Sequence, residues 1–549
     1  MTRVLAVLML TICSGGLLAQ ATLPIAGTLQ AGDENLHLIE VDFGGAASTT
    51  NITLSISGNS ATFGLQAFLG DLDAMAATST GTDNGDVPDT TTINLTITSG
   101  NYTGVHQFIV SVQSFTGGGP VGYTGTLTVV SLPTGVSSAG TQTVPDAQFP
   151  RIRRYFDRAV NGSETVNTSG DTIAQEFLVD FGGVAQTATF AFFGEGSLAG
   201  NIDIIEVLAN GSASALGSIS GAGADWSDGT NLTTSSRSGI VRFRVECNDA
   251  DSDFDWTVIL PGTVSAIQGA QLNFSGSLSA DQERAYLVQL DYGANSTSYT
   301  LSIAAATSTG SIGVLLIDLN ELAANGSSQA IGSFDASSVQ LPVESGLFEF
   351  MVLVMEDGSS SATYDFTVEV PVAQSALVQL GSKTLNEPQS FTNLFDRAVE
   401  ADVSFSGAGT RTYEFNVDFG AVAHSAEVYL RGDGTGDGPI ELFEVTSGGT
   451  NSLVASIAGM GGLDDEANGT TGVRTGVVRF RVVVTATGAQ DFSFSVVFDD
   501  TVAVSLIKKK SDDKEDDGCS TGTGGTGWLA LLGLLAALGA ASRLRGARE

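Results

Sequence analysis

Four aspartates recur in one local setting. Asp42, Asp180, Asp291 and Asp418 each stand directly before an aromatic residue and two positions before a glycine. Carboxylates repeated in this way can serve as acids or as calcium ligands. An Asp at a strand end also accepts backbone N–H groups in the turn that follows, and the glycine two positions on predicts that structural use. A denser acidic run spans Asn248 to Asp255, in which Asp249, Asp251 and Asp253 present alternate hard oxygens of the kind Ca²⁺ takes. An EF-hand loop would need Gly where Phe254 stands and Glu where Leu260 stands. The corresponding turn of a later repeat, 485–490, carries no acid. A solvated hairpin turn is therefore the favoured reading, with calcium as the alternative and no other cofactor expected. Asp433 and Asp437, in a Gly-rich loop, are a poorer pair, and Arg431-Gly432-Asp433 is read as a coincidental tripeptide.

The remaining chemistry is sparse. Trp226, in a Gly/Asp loop, is the one aromatic placed to stack on a sugar ring. His37, His106 and His424 lie in different repeats or strands, with no spacing that suits a metal or a triad. No Gly-x-Ser-x-Gly elbow, phosphate loop or His-Glu-x-x-His is present. Cys247 falls on the inward face of an alternating segment and reads as a small buried apolar residue. No catalytic residue is assigned, and the chain is expected not to be an enzyme.

What positions these residues is a repeat. Phe156-Asp157-Arg158-Ala159-Val160 returns as Phe395-Asp396-Arg397-Ala398-Val399, and Gly239–Val245 returns as Gly476–Val482, at offsets of 239 and 237. The Asp-aromatic-Gly block appears twice more, at Val41–Gly44 and Leu290–Gly293. The order is A-B-A-B, two domains of each kind. Val241, Phe243, Val245 and Cys247 alternate with Arg242, Arg244 and Glu246, and the other repeats alternate likewise. Period two with one polar face means half-buried antiparallel strands. The expectation is all-β: four tandem β-sandwiches, jelly-roll or immunoglobulin-like. Their bounds read as 22–133 (A1), 150–262 (B1), 263–373 (A2) and 389–506 (B2), with Thr134 to Pro150 as a Gly/Ser/Pro linker and 507–518 as a charged linker.

Both ends read as address labels. Arg3, the apolar Val4–Ile12 and Ala19-Gln20-Ala21 make a signal peptide over 1–21, with cleavage expected after Ala21. At the other end, Gly518-Cys519-Ser520 and a Gly/Thr spacer precede Trp528–Ala541, and Arg543, Arg545 and Arg548 follow. The uncharged span 518–542 is long enough to cross a bilayer, and the arginines should stay cytoplasmic. Motif, apolar helix and basic cluster over 519–549 resemble the tripartite C-terminal sorting signals of bacteria, of the Myxo-CTERM, Synergist-CTERM and GlyGly-CTERM kinds. That resemblance implies removal of the helix by a sorting protease, with processing or lipid attachment at Cys519. Residues 270–371 are similar to bacterial pre-peptidase C-terminal (PPC) β-sandwich domains: Gly276–Tyr286 leads into a strand, and Ser361–Val368 closes on Tyr364, Phe366 and Val368. This similarity implies a non-catalytic accessory or surface module.

Composition agrees. Sixty acids against 23 bases give 549 residues a net charge of -37, which opposes nucleic-acid binding and suits an extracellular or saline setting. The expected protein is exported, surface-associated or extracellular, and held by the membrane at least transiently through its C-terminal helix. Its work is structural or adhesive, on a surface glycan or protein. Glycan or polymer binding is the second reading and a secreted hydrolase the remote third.

Overall fold

The computed structural model describes residues 20–507, apart from short internal segments that include 59–64, 145–151, 221–227, 248–251, 326–337 and 387–390. Residues 1–19 of the signal peptide, the charged linker after Ile507 and the sorting segment with Cys519 lie outside the described residues, while Gln20 and Ala21, at the expected cleavage site, open the first strand.

The fold is all-β, built from eight antiparallel sheets of four or five strands. The described residues fall into two compact units that divide at Gln268/Gly269. Each unit holds one A and one B sandwich.

A1 shows the plan. Its strands are β1 (Gln20–Leu29), β2 (Glu34–Asp42), β3 (Asn51–Gly58), β4 (Leu65–Asp71), β5 (Thr82–Val87), β6 (Thr92–Thr98), β7 (Val105–Ser114), β8 (Val121–Val130) and β9 (Gly135–Val144). One sheet runs β1-β8-β3-β6 and the other β5-β4-β7-β2-β9. The first eight strands thus trace the double Greek key of a jelly roll, and the ninth extends one edge. B1, A2 and B2 repeat both orders. The B domains add a short strand in front, Ile152–Tyr155 or Thr392–Leu394, and A2 has no fifth-position strand among the described residues. Of the two sandwich types expected, the jelly roll is the one found.

Three expectations need correction. The segment read as a linker is mostly β9, which pairs with β2 over nine positions of that strand. Leu377–Asn386, beyond the expected end of A2, is its counterpart and pairs with Gln282–Asp291. Ser265–Ile267 belongs to B1, paired with Leu178–Asp180, although the sequence boundary put it in A2. All three segments lie on sheet edges, where the backbone ladder supplies the bonding and the outer side chains need not be apolar. That is why the Gly/Ser/Thr/Gln character of Gly135–Val144 looked like a linker.

The recurring aspartates do what their spacing predicted. Asp42, Asp180, Asp291 and Asp418 each accept the backbone N–H of the glycine two residues on, at 2.8–2.9 Å. Those glycines have φ of 67–73°, or 74° at Gly293, a region that L side chains avoid. Each is then hydrogen-bonded by a second glycine across the turn, Gly104, Gly239, Gly346 or Gly476.

Each core is the space between the two sheets, and in three domains it contains one cross-sheet polar pair at the same register. In A1 the His37 Nε2 and Tyr123 hydroxyl are 2.7 Å apart. In B1 the Trp256 indole donates to Gln175 at 2.7 Å. In A2 the Tyr286 and Tyr364 hydroxyls meet at 2.5 Å. Opposite each aromatic in the sheet stands a glycine, Gly27, Gly162 or Gly276, and a Cβ on any of them would run into the ring. In B2 the pair is Tyr413 with Phe494, rings 5.2 Å apart, and Ala401 takes the glycine's place. Gly162→Ala, which drives a methyl into the Trp256 ring and the Gln175 carbonyl, is expected to cost about 2–3 kcal/mol. Urea denaturation should show it as a fall in midpoint at constant slope, while Ala401→Gly changes stability by about 1 kcal/mol or less.

Candidate functional site

The sequence-predicted ligands are not brought into one place that the structure describes. Trp226, Asp249 and Asp251 lie outside the described residues. Asp253 is in the strand Ser252–Ile259, paired with Thr165, and its side chain is likewise outside the description. Among the described residues no group of three His, Cys, Asp or Glu is arranged to hold a metal ion. The histidines are separate. His37 is buried in the A1 core, and that burial pushes its pKa down to about 4. His424 places its ring nitrogens 2.8 and 3.0 Å from the Val422 and Thr501 carbonyls. Cys247 is fully buried in the B1 core. Arg431 of the Arg-Gly-Asp tripeptide is only 2% exposed.

The structure does assemble a polar site elsewhere, at the seam between the two sandwiches of each unit. It is built from a short helix of A and the repeated Phe-Asp-Arg-Ala-Val turn of B. In A1 the helix α1 (Leu72–Thr78) follows β4, and Asp71 caps it by accepting the Ala74 N–H at 3.1 Å. In A2 the helix α2 (Leu319–Asn325) is capped by Asp318, which accepts from Asn320 and Glu321 at 2.9 and 3.0 Å. Burial raises the pKa of both capping carboxyls. Neither helix shows as an amphipathic period, because each is only seven residues long.

The turn of B is held in an unusual shape. Phe156 and Phe395 have φ of 57° and 54° and are the only non-glycine residues with positive φ among those described. Such a conformation persists only where surroundings over-determine it. Here the Phe rings pack over Gly140 and Gly381 of the ninth strands of A, where a Cβ would stand 3.3–3.4 Å from the ring. The next residue's carbonyl accepts a backbone N–H from Ala266 or Val504. The turn thereby aims its arginine at the A domain.

In unit 1 the Arg158 guanidinium donates to Asp73 at 2.7 Å, to Gln107 at 2.5 Å and to the Leu260 carbonyl at 3.2 Å. In unit 2 Arg397 donates to Asn320 at 2.6 Å, to Glu349 at 3.1 Å and to the Phe498 carbonyl at 3.3 Å. The carboxylate and the amide have exchanged places between the copies, so each buried arginine keeps one anionic and one neutral side-chain acceptor beside the backbone carbonyl. Asp73 also meets the His106 ring at 2.6 Å, and His106 stacks on Tyr102 at 3.9 Å. A B-domain asparagine completes each seam by donating to the α-helix's final turn: Asn231 to the Ala76 carbonyl, Asn468 to the Ala324 carbonyl.

Beside this polar site the seam holds an apolar cluster. Leu36, Leu38, Leu72, Met75 and Ile109 of A1 pack with Ala159, Ala191 and Ile259 of B1. Leu287, Leu315, Ile317, Leu322 and Leu353 of A2 pack with Ala398, Tyr429 and Val497 of B2. The outer face of one A sheet is therefore a second core. The sequence carried a signal for it: Val314–Ile317 and Met351–Val354 are unbroken apolar runs, and a strand so composed is buried on both faces. The arginine in the Phe-Asp-Arg-Ala-Val block was legible as a repeat marker but not as an interdomain ligand.

No protein-family model matches the chain, and no curated protein matches it.

Proposed function

We propose that the chain is a non-catalytic, exported cell-surface protein whose paired jelly rolls do structural or adhesive work. The observation that carries the reading is the seam: the buried arginine site joins sandwich to sandwich, twice, in the paired-domain plan that a stalk or array would use. The signal peptide and the C-terminal segment read from the sequence supply the address, with a sorting protease acting near Cys519. Cell fractionation combined with mass determination of the C-terminal peptide tests it. A surface-associated chain ending near Cys519 is the expected result. An intact Trp528–Glu549 in the inner membrane would remove the sorting step, and hydrolase activity in purified 22–506 protein would remove the non-catalytic reading.

Glycan retention is the second reading, and one further observation favours it. The open face of the A1 sheet β1-β8-β3-β6 is uncharged in a protein of net charge -37. Thr22, Thr128, Thr53 and Thr96 stand in one row across the four strands, followed by Pro24, Thr126, Ser55 and Asn94 and then by Ala26, Thr124, Ser57 and Thr92. Such hydroxyls and amides can meet a neutral polymer. Retention on a polysaccharide column, reduced by Thr126→Lys or by Trp226→Ala, is the expected result of this reading.

A further inference from the structure

The two seams share their backbone geometry but differ in the charged residues placed in them. Three positions correspond by register. On the ninth strand of A, Gln142 of A1 stands opposite Leu36, and Lys383 of A2 stands opposite Ala285. On the first strand of B, Asn161 of B1 and Glu400 of B2 stand opposite Thr257 and Ser495. On the third strand of B, Phe193 and Arg431 flank the same two residues. Unit 1 therefore has Gln, Asn and Phe where unit 2 has Lys, Glu and Arg.

Each set is consistent within its own unit. Gln142 donates to the Arg154 carbonyl at 2.8 Å, and Lys383 donates to the equivalent Asn393 carbonyl and to Thr392 at 2.8 Å. Asn161 is satisfied inside B1, by the Trp256 carbonyl and the Thr257 hydroxyl at 2.9 and 3.0 Å. Glu400 is 1% exposed, its Oε1 finds no hydrogen-bond partner among the described residues, and the charge acting on it from A2 is that of Lys383. A fourth difference lies alongside. The half-buried Glu34 of A1 feels the charge of Arg153 of B1, while A2 keeps an acid at the same register, Glu283, against a B2 that has Thr392 in place of Arg153.

We propose that these positions are an address: the seam face of B2 fits A2 and rejects A1, and the face of B1 fits A1 and rejects A2. A1 laid on B2 would bury Glu400 with Gln142 in the place of Lys383. A2 laid on B1 would set the half-buried Lys383 against the neutral Asn161. A buried acid is strongly disfavoured in its ionised form unless a cation faces it, so where Glu400 is ionised the homologous domains on one chain sort themselves by charge where shape alone would let them mix. The matching surface is defined by sequence and not by tether, so a second copy's A2 would fit B2 as well as the chain's own.

The full chain tests this. Ala77 at the end of α1 and Asn468 of B2 are exposed, and Asn468 contacts Ala324 of α2, so A1 seated on B2 through the same seam would bring this pair together. Ala77→Cys with Asn468→Cys is refolded from denaturant and treated with a short bismaleimide, and the linked peptides are mapped by mass spectrometry. The native pairing is scored in parallel with Ala77→Cys and Asn231→Cys. The mispaired link is expected to be scarce in the otherwise unaltered chain. It should rise at least tenfold when unit 2 receives the neutral set (Lys383→Gln, Glu400→Asn, Arg431→Phe). It should also rise when unit 1 receives the charged set (Gln142→Lys, Asn161→Glu, Phe193→Arg). The two variants make the seams alike in opposite ways, so a folding defect in one leaves the other to decide. Equal yields of the mispaired link in all three backgrounds would overturn the proposal.

Discussion

Arg397→Ala should destabilise the second unit by about 3 kcal/mol, because it leaves the other members of a buried hydrogen-bonded group unpaired. Arg397 is 3% exposed and serves three acceptors at once: Glu349, Asn320 and the Phe498 carbonyl. The Glu349 carboxylate can partly recover by turning to water, since its side chain is 22% exposed. The carbonyl of Phe498 has no such route, as Phe498 itself is fully buried. For a unit of this size the melting temperature should fall by roughly 6–12 °C. Arg397→Lys keeps the charge but not the planar fork, so it should recover less than half of the loss. Calorimetry on the two variants checks both statements. A fall of under about 1 kcal/mol for Arg397→Ala would mean that the apolar seam alone holds A2 to B2.

Glu400 gives the second large effect, and it depends on pH. Burial raises its pKa from 4.5 to about 8, with Lys383 opposing the shift and Asp402 adding to it. The folded state therefore binds the proton more tightly than the unfolded chain does. Its contribution to stability is fully present below pH 4.5 and is lost as pH rises through about 8. Across that window the second unit should lose on the order of 4–5 kcal/mol from this one group, at about 1.4 kcal/mol per pH unit. Glu400→Gln keeps the shape and removes the charge, so the variant should match the parent near pH 4 and exceed it increasingly toward pH 9. Urea titrations at four or five pH values, read as the difference between the two proteins, isolate this group from the other titrating residues. A pH-independent difference would show that Glu400 is already ionised in the fold. Unit 1 has Asn161 at this position and should lack this group's contribution.

The fold class was legible because alternation is a direct image of a half-buried sheet, and the segments 241–247 and 364–370 show it without interruption. The Asp-aromatic-Gly blocks were legible for a similar reason: an acid two residues before a glycine has a local partner, so no distant contact is needed to interpret it. Distant contacts are what the sequence hid. Arg158 and Arg397 looked like polar residues in a conserved-looking turn, and nothing local says that the guanidinium ends on a helix some 80 residues earlier in the chain. The edge strand β9 was misread because its outer side chains answer to water while its hydrogen bonds answer to β2. As for the predicted ligands, the acidic run at 249–253 and Trp226 were chosen on side-chain chemistry alone, and no described contact of either bears on that choice.

The seam also sets the step by which such a chain can change length. Removing B2 alone would leave Leu287, Leu315, Ile317 and Leu353 of A2 facing water as one contiguous patch, a surface that invites aggregation. Gain or loss of a whole A-B pair adds or removes both faces of its own seam together. The near-constant offset of 237–239 residues between the B repeats is then the natural quantum of this architecture: longer and shorter relatives should differ by about 240 residues, and by single domains only where the partner face has turned polar.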